Sequence, residues 1–253
     1  MLTRNELKYY SSLLQKKHRA EEKKFLVEGD KLIQEAVGSG LKCESIISSH
    51  LFYEKSKHEV DQFEKRAERV EIVKQIDFEK LCDTKTPQGI VGVFAFPGQS
   101  KQINRNEKVI TALENVSDPG NMGTILRNCD WFGIADVLIS EDCAEIFNPK
   151  VIRSSAGSVF HLNIIEPENF YAALQNLKRD GYKILCADLN GEDIYELKKN
   201  SKTILVLANE ANGPSPKILE LSDKIVTIPR KGKAESLNVA SASAVLFSEL
   251  TRD

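Results

Sequence analysis

Short apolar runs alternate with segments of helical periodicity along most of the chain. Buried strands show the first pattern, and amphipathic helices show the second. In the first hundred residues, strands are predicted at 24–28, 44–48, 69–74 and 90–96, and helices at 30–37, 52–66 and 76–82. A polar stretch that contains Pro97 and Gly98 follows and predicts a linker. The first hundred residues therefore predict a small α/β unit.

The alternation restarts after the linker and continues to the end of the chain. Strands are predicted at 109–116, 136–140, 159–165, 182–188, 203–208 and 224–228. Helices are predicted at 121–132, 149–155, 168–180, 216–221 and 236–251. This order is typical of an α/β fold with a mostly parallel sheet flanked by helices. We predict a first domain over residues 1–97, a linker over 98–107 and a second domain over 108–253.

Composition narrows the class of protein. The chain has 253 residues, of which 41% are hydrophobic, and its formal net charge is −2. This apolar content can supply a core, which argues against a disordered protein. Its longest apolar runs, such as 204–208, are far shorter than the ~20 residues of a spanning helix, and the first residues lack the apolar core of a signal peptide. We therefore expect a cytoplasmic protein that does not enter a membrane.

Cysteine and histidine usage argues against a metal site. The five cysteines include no C-x-x-C pair, and the four histidines show no H-x-x-x-H spacing. An odd number of cysteines without paired spacing is typical of buried thiols in a reducing compartment. We therefore expect no bound metal.

Positive charge is concentrated at the start of the chain, although the total is close to zero. Residues 1–25 carry seven basic and three acidic residues, which gives a local charge of +4. Such a cluster marks either a solvated helix face or a surface that contacts phosphates, and the sequence leaves both open. A second basic cluster is formed by Arg230, Lys231 and Lys233.

Three loops at the ends of predicted strands carry more than turn residues. In α/β sheets, ligands bind beyond the carboxyl ends of the strands, so these loops are candidates for a site. The first contains the turn Asp118-Pro119-Gly120, and Asn121 is predicted to cap the helix that follows. Arg127 lies nearly opposite the apolar stripe of that helix, where it is either a solvated arginine or a ligand-binding one.

The other two loops combine polar residues with glycine and proline. The second presents Asn209 and Glu210 after a buried strand and then turns at Gly213. It is either an ordinary connection capped by Ser215 or a loop whose backbone binds a ligand while Glu210 holds a charge partner. In the third, a strand ends at proline and Ser236 is predicted to open a helix as its N-cap. Neither a Walker loop nor a G-x-G-x-x-G motif is present, which disfavours a Rossmann-type site.

Together, the three loops resemble the motifs of the SpoU (TrmH-like) family of RNA 2′-O-ribose methyltransferases, within the SPOUT superfamily. The matching residues are Asn115, Asp118, Pro119, Asn121, Gly123 and Arg127 in the first motif, Asn209, Glu210 and Gly213 in the second, and Ile228, Pro229, Ser236, Leu237 and Asn238 in the third. The motifs occur in the family's order, and the resemblance covers residues 107–253. Segments 25–29 and 87–93 look like the RNA-binding substrate domain of many members, which has a ribosomal-protein-like α/β sandwich fold.

The resemblance implies a fold, a cofactor and a partner. Family members bind S-adenosylmethionine in a deep trefoil knot, and they are generally homodimers with the active site at or near the dimer interface. By similarity, the cofactor-binding residues are Leu207, Ala208, Asn209, Glu210, Gly213, Ile228, Pro229, Ser236, Leu237 and Asn238. Ala208 departs from the family's usual glycine, and its extra methyl group is expected to narrow the pocket slightly.

The resemblance also implies transfer of a methyl group to a ribose hydroxyl of RNA. The implied catalytic residues are Arg127, Asn115, Glu210, Ser236 and Asn238. Arg127 is the family's proposed base. A guanidinium donates rather than accepts protons, so its second possible role is to anchor a phosphate and the developing alkoxide. The substrate domain favours large-subunit ribosomal RNA over transfer RNA, and the competing class is a non-catalytic RNA-binding protein that kept the fold.

Overall fold

The computed structural model describes residues 2–98, 102–198, 202–209 and 211–252. The chain forms two compact units, the first made of Met1–Gln99 and Glu145–Phe160 and the second of Ser100–Ala144 and His161–Asp253. The segment Glu145–Phe160 groups with the first unit, whereas the sequence analysis assigned all of 108–253 to one domain. Residues 99–101 of the predicted linker lie outside the described residues.

Helices and strands alternate through both units. Up to residue 98 they are α1 (Arg4–Ser12), α2 (Lys16–Glu22), β1 (Lys24–Glu28), α3 (Asp30–Gly38), β2 (Cys43–Ser49), α4 (His50–Lys55), α5 (Lys57–Phe63), β3 (Ala67–Val73), α6 (Gln75–Phe78) and β4 (Ile90–Ala95). They continue with β5 (Val109–Glu114), α7 (Pro119–Trp131), β6 (Asp136–Ile139), α8 (Pro149–Ser154), β7 (Asn163–Ile165), α9 (Phe170–Arg179), β8 (Lys183–Asp193), β9 (Thr203–Ala208), α10 (Pro216–Leu221), β10 (Lys224–Thr227) and α11 (Val239–Thr251). No helix in the described ranges has both the length and the apolar character that crossing a membrane requires.

The first unit is built on a four-stranded mixed sheet in the order β1-β4-β2-β3. β4 pairs antiparallel with β1 and β2, and β3 pairs parallel with β2. Successive side chains of β1 point to opposite faces of this sheet. Leu26 belongs to a core that α1 covers with Leu7 and Tyr10. On the other face, the ring of Phe25 stacks on Phe147 at a centroid distance of 4.2 Å, which explains why Glu145–Phe160 groups with this unit.

A buried ion pair ties α2 to the segment Glu145–Phe160 within the first unit. Arg19 is 1% exposed. Its Nε and Nη2 donate to the two carboxylate oxygens of Glu145 at 2.8 and 2.5 Å, and its Nη1 donates to the carbonyl oxygen of Leu13 at 2.8 Å. This bidentate geometry compensates for the burial of both charges. Arg19 therefore serves the core of the unit and is not part of a basic surface at residues 1–25.

The second unit contains a six-stranded sheet in the order β10-β8-β9-β5-β6-β7, and each of these pairings is parallel. On one face, Leu174 of α9 and Ile218 of α10 pack in the same core as Ile204 of β9. On the other face, the Cys129 sulfur of α7 lies 3.5 Å from the Thr111 hydroxyl of β5, and α11 packs against α7. The predicted α/β class with a parallel, helix-flanked sheet is confirmed.

Among the strands of the second unit, β7 and β8 differ most from their predicted bounds. β7 is shorter than 159–165 because Ser158–Phe160 forms a 3-10 helix. β8 extends beyond the predicted end at residue 188, and Glu192 and Asp193 pair with Val226 and Thr227 of β10 after a shift in register. This extension consists largely of polar residues, so no local pattern predicts it.

Gly191 permits the close approach of β8 to β10. A Cβ atom at this position would lie 2.5 Å from the carbonyl carbon of Val226 and 2.6 Å from its nitrogen. Backbone atoms within a sheet cannot move aside as a flexible side chain can. The crossing of the two strands therefore requires glycine.

Gly191→Ala is expected to destabilise the second unit by ~1–3 kcal/mol, because the methyl group overpacks against the backbone of β10. Chemical denaturation followed by circular dichroism measures the loss in the free energy of unfolding. Gly232→Ala is the matched control, since no heavy atom lies within 4 Å of the Cβ position there. Equal denaturation midpoints for the two variants would contradict the close approach.

Candidate active site

The loops that follow β5 and β9 leave the sheet side by side. The two strands pair in parallel register up to Glu114 and Ala208, so both end at the carboxyl edge of the sheet. The side-chain nitrogen of Asn209 donates to the carbonyl oxygen of Asn115 at 3.0 Å. This hydrogen bond joins the first loop (residues 115–118) to the second loop (residues 209–215).

Asn115 shapes the first loop. Its φ of 57° is left-handed, a conformation that asparagine tolerates better than most residues. Its backbone nitrogen donates to the hydroxyl of Ser140 at 2.9 Å, and that hydroxyl donates to Asn115 Oδ1 at 3.0 Å. The Asn115 side chain is thereby fixed through its oxygen.

The helices next to the loops begin at residues other than the predicted ones. α7 is capped by Asp118, which accepts from the backbone nitrogen of Asn121 at 2.8 Å, so Asn121 is not the cap. α11 is capped by Asn238, whose Oδ1 accepts from the backbone nitrogen of Ala240 at 3.0 Å, so Ser236 does not open the helix. Both capping predictions were wrong because a second good capping residue lay close by, and pattern alone does not choose between two such residues.

Asn238 also joins the third loop (residues 228–238) to α7. Its Nδ2 donates to Asn121 Oδ1 at 2.9 Å. Farther along the same two helices, Asn128 Nδ2 donates to the carbonyl oxygen of Ala240 and to the hydroxyl of Ser243, each at 2.9 Å. All three motif segments are therefore connected by side-chain hydrogen bonds.

A cleft of about 760 Å³ is lined mainly by the second and third loops. The predicted cofactor-binding residues that line it are Leu207, Ala208, Asn209, Gly213, Ile228, Pro229, Ser236 and Leu237. Asn238 lies at the end of the third loop, outside this lining, and Glu210 lies outside the described residues. The volume falls within the range of small-molecule sites, roughly 300–1,000 Å³.

Residues outside the predicted site also line the cleft. β8 contributes Asp188 and Leu189, and α11 contributes Ala242 and Leu246. Asp188 ends the strand predicted at 182–188, so the rule that ligands bind at carboxyl ends could have found it. Leu246 comes from the interior of a helix, and no local pattern marks it as a cleft residue.

Arg127 is exposed on α7, as its position opposite the apolar stripe predicts. It is not among the residues that line the cleft. Within the part of the chain that the structure describes, no hydrogen bond or ion pair joins it to another residue. The structure thus brings Asn115, Ser236 and Asn238 into one connected set of loops and leaves Arg127 outside the cleft lining.

Thiols close to the site are held in their protonated form. Burial raises the pKa of the Cys129 thiol to about 12 and also raises the pKa of Cys143. Neither thiol is therefore a nucleophile near neutral pH. Among the described residues, no group of three or more His, Cys, Asp or Glu is placed to hold a metal ion. The ionisable residues that do line the cleft are Asp188, Arg230, Lys231 and Glu235.

Comparison with known proteins decides the family. Residues 108–248 match the model of the SpoU rRNA methylase family, and residues 4–92 match the MRM3-like substrate binding domain. The chain belongs to the SpoU rRNA methylase family. The family membership that the three motifs predict is therefore confirmed.

Similarity to other SpoU-family proteins extends over nearly the whole chain. The chain is 32% identical to the 23S rRNA (guanosine(2553)-2′-O)-methyltransferase RlmP of Bacillus subtilis, and the similarity covers 97% of this chain and 95% of the relative. A TrmH-family protein from Porphyromonas gingivalis has a solved structure with 34% identity and a TM-score of 0.85, covering 99% of this chain and 98% of that one. An AdoMet-bound rRNA methyltransferase from Sinorhizobium meliloti shows 26% identity and a TM-score of 0.83, covering 100% and 96%.

Asn209→Asp is expected to raise the Kd for S-adenosylmethionine, the cofactor that the resemblance implies, about tenfold. A carboxylate cannot donate to the carbonyl oxygen of Asn115, so the second loop loosens. Titration calorimetry measures the Kd. Asn106→Asp adds the same charge on the exposed turn before β5, at the opposite edge of the sheet, and serves as the control. An unchanged Kd in Asn209→Asp would show that this contact does not shape the cleft.

Proposed function

We propose that this protein is an S-adenosylmethionine-dependent RNA 2′-O-ribose methyltransferase that acts on large-subunit ribosomal RNA. The observation that carries the proposal is the meeting of the three motif segments at one edge of the sheet, where two of them line a single cleft. The similarity to RlmP, which is named for 2′-O-methylation of a guanosine in 23S rRNA, supports this substrate class. Transfer RNA is less favoured, since the family model and this relative are both named for ribosomal RNA.

The cleft fits the cofactor in its chemistry. Its lining combines apolar side chains, among them Leu207, Val239 and Leu246, with polar loop residues such as Asn209 and Ser236. A nucleoside needs apolar surface for its ring and polar groups for its edges and sugar. We assign the second and third loops to hold it. When bound, S-adenosylmethionine supplies a methyl group that is already electrophilic.

The task of the protein's own residues is to present a ribose hydroxyl as a nucleophile. A hydroxyl becomes a good nucleophile only as its proton leaves, so donors and cations beside the developing alkoxide lower the barrier. We assign this part to Arg127, a permanent cation with five donors that also suits the adjacent phosphate. In this role the hydroxyl proton passes to solvent water as the methyl group transfers. Proton abstraction by Arg127 is the alternative role, and it requires the guanidine in its neutral form.

The remaining predicted catalytic residues position the loops, the ribose and Arg127. Asn115, Ser236 and Asn238 hold the loops and the ribose through hydrogen bonds. Glu210 orients Arg127 or the second loop. An anion directed at the sulfonium would stabilise the ground state more than the transition state, because the positive charge disappears as the methyl group transfers.

We further propose that the second unit contains the deep trefoil knot of the family. We also propose that this unit forms a homodimer. Trp131, at the end of α7, is 82% exposed, and Tyr195 is 53% exposed. Phe132 and Val245 line a shallow depression together with Tyr195. Exposed aromatic residues beside an apolar depression are typical of a protein interface. Because Arg127 lies on α7 outside the cleft lining, it is available to complete the site of a second copy.

We assign the first unit to RNA binding. Residues 4–92 of this unit match a substrate binding domain. Lys24 is engaged in an ion pair with Glu44 at 2.7 Å, as Arg19 is with Glu145. The exposed basic residues at the start of the chain that can contact phosphates are Arg4, Lys8, Lys16, Lys17 and Lys23. A cytoplasmic location fits an enzyme that methylates ribosomal RNA.

Arg127→Ala is expected to lower methyl transfer to RNA by about 100-fold or more, since it removes the cation beside the developing alkoxide. The Kd for S-adenosylmethionine is expected to stay within about twofold of wild type, because Arg127 does not line the cleft. Incorporation of labelled methyl groups into ribosomal RNA measures the rate, and calorimetry measures the Kd. Arg179→Ala, at an exposed site on α9, is the matched control. Full activity in Arg127→Ala would exclude its catalytic role.

Mixed dimers test whether the site is shared between two copies. Chains carrying Arg127→Ala are co-expressed with chains carrying Ser236→Ala, and the mixed species is isolated by two different affinity tags. Activity that recovers in the mixed dimer supports completion of the cleft by Arg127 of the partner subunit. No recovery would assign each Arg127 to its own cleft. Failure of the wild-type protein to bind S-adenosylmethionine would instead favour the non-catalytic RNA-binding protein.

A further inference from the structure

We propose that Glu114 is a positioning residue that holds the second loop in the geometry that binds the cofactor. The inference rests on the function proposed above, because it takes that loop to be a cofactor loop. Glu114 is the last residue of β5 and is 1% exposed. It is not among the residues that line the cleft, so it acts through the residues it holds.

The Glu114 carboxylate is met by three hydrogen-bond donors. Ser215 donates its backbone N–H to Oε2 at 2.9 Å and its hydroxyl to Oε1 at 2.6 Å. The hydroxyl of Tyr171 donates to Oε1 at 2.9 Å. The ammonium of Lys217 lies 3.9 Å from the centroid of the Tyr171 ring, which brings a cation close to this group. A buried carboxylate depends on such a full set of donors, because each unmet polar atom in the interior is costly.

Glu114 and Asn115 hold opposite ends of the second loop. The carbonyl oxygen of Asn115 accepts from Asn209 at the start of the loop, and the carboxylate of Glu114 accepts from Ser215 at its end. Within the loop, the backbone nitrogen of Gly213 donates to the carbonyl oxygen of Asn209 at 2.9 Å. One dipeptide at the end of β5 thus fixes both ends of a loop that is also closed internally.

The part of the loop between these two anchors lines the cleft. Its described residues are Ala211, Asn212, Gly213 and Pro214. A loop that is already ordered loses less conformational entropy when a ligand binds, so anchoring raises affinity without direct contact. The anchor at Glu114 therefore acts on cofactor affinity rather than on the methyl-transfer step.

The direction of the Ser215 hydroxyl depends on the charge of Glu114. Ser215 gives its hydroxyl hydrogen to Glu114, and the same oxygen accepts from the backbone nitrogen of Ile218 at 3.2 Å as the cap of α10. A glutamine at position 114 would place an N–H₂ group among three donors. Either the Ser215 backbone N–H would lose its acceptor, or the hydroxyls of Ser215 and Tyr171 would both have to turn their hydrogens away from position 114.

Glu114→Gln is expected to raise the KM for S-adenosylmethionine about tenfold, because the loop loses its anchor at Ser215. The kcat at saturating cofactor and the KM for RNA are expected to stay within about twofold of wild type. Tyr171→Phe removes one donor and leaves the charge, so its rise in the cofactor KM is expected to be smaller, about threefold. A loss of kcat with an unchanged cofactor KM would overturn the proposal.

Asp136→Asn is the matched control, because it makes the same isosteric change at an equally buried acid of the same unit. Asp136 is 1% exposed at the start of β6, and it accepts from the backbone nitrogen of Asn104 at 2.8 Å and from Asn163. This position lies at the amino edge of the sheet, away from the loops. Its substitution is expected to lower stability and leave the cofactor KM unchanged. An equal rise in the cofactor KM in both variants would show that Glu114→Gln acts through a general loss of structure.

Hydrogen exchange of the ligand-free protein provides a readout that does not need the cofactor. Glu114→Gln is expected to speed exchange at the backbone amides of residues 211–213 and of Ser215 about tenfold, and Asp136→Asn is expected to leave them unchanged. Unchanged exchange in Glu114→Gln would overturn the proposal even if the protein binds no cofactor. Failure of wild type to bind S-adenosylmethionine, with faster exchange in Glu114→Gln, would overturn the proposed function and leave the anchoring role intact.

Discussion

The parallel pairing of β5 with β9 is the constraint on which the candidate site depends. It sets Glu114 opposite Ala208, so the two loops leave the sheet as neighbours and Asn209 reaches the carbonyl oxygen of Asn115. A slip of one residue would turn every side chain of β9 to the other face and separate these loops. The core prevents such a slip, because β9 is buried along its whole length and residues such as Ile204 pack under α9 and α10.

Beyond the sheet, side chains rather than regular structure determine the shape of the loops. Loop backbone groups cannot join a strand ladder, so they need other partners. Asparagines provide several of them: Asn115 is locked to Ser140, Asn209 bridges two loops, and Asn238 both caps α11 and bonds to Asn121. Their amides are thus engaged within the protein. We interpret these motif asparagines as scaffold residues first, which leaves the charge chemistry of the proposed reaction to Arg127.

Most of the architecture and much of the site can be predicted from the sequence, because burial and motif order are local properties. The parallel sheet, the cleft residues of the second and third loops and the exposure of Arg127 follow from apolar periodicity and from the family motifs. The features that the sequence does not predict depend on contacts that are distant in sequence. The grouping of Glu145–Phe160 with the first unit depends on Phe25 and Arg19, and the extension of β8 depends on β10. Glu114 looks like any residue at the end of a strand until its contacts with Ser215 are known.

The most direct test of the account is a map of 2′-O-methylated nucleotides in ribosomal and transfer RNA from a strain that lacks this protein. One 2′-O-methyl group is expected to disappear from large-subunit ribosomal RNA, and the wild-type chain is expected to restore it while Arg127→Ala does not. An unchanged methylation map in ribosomal RNA, or a site lost only from transfer RNA, would contradict the proposed function.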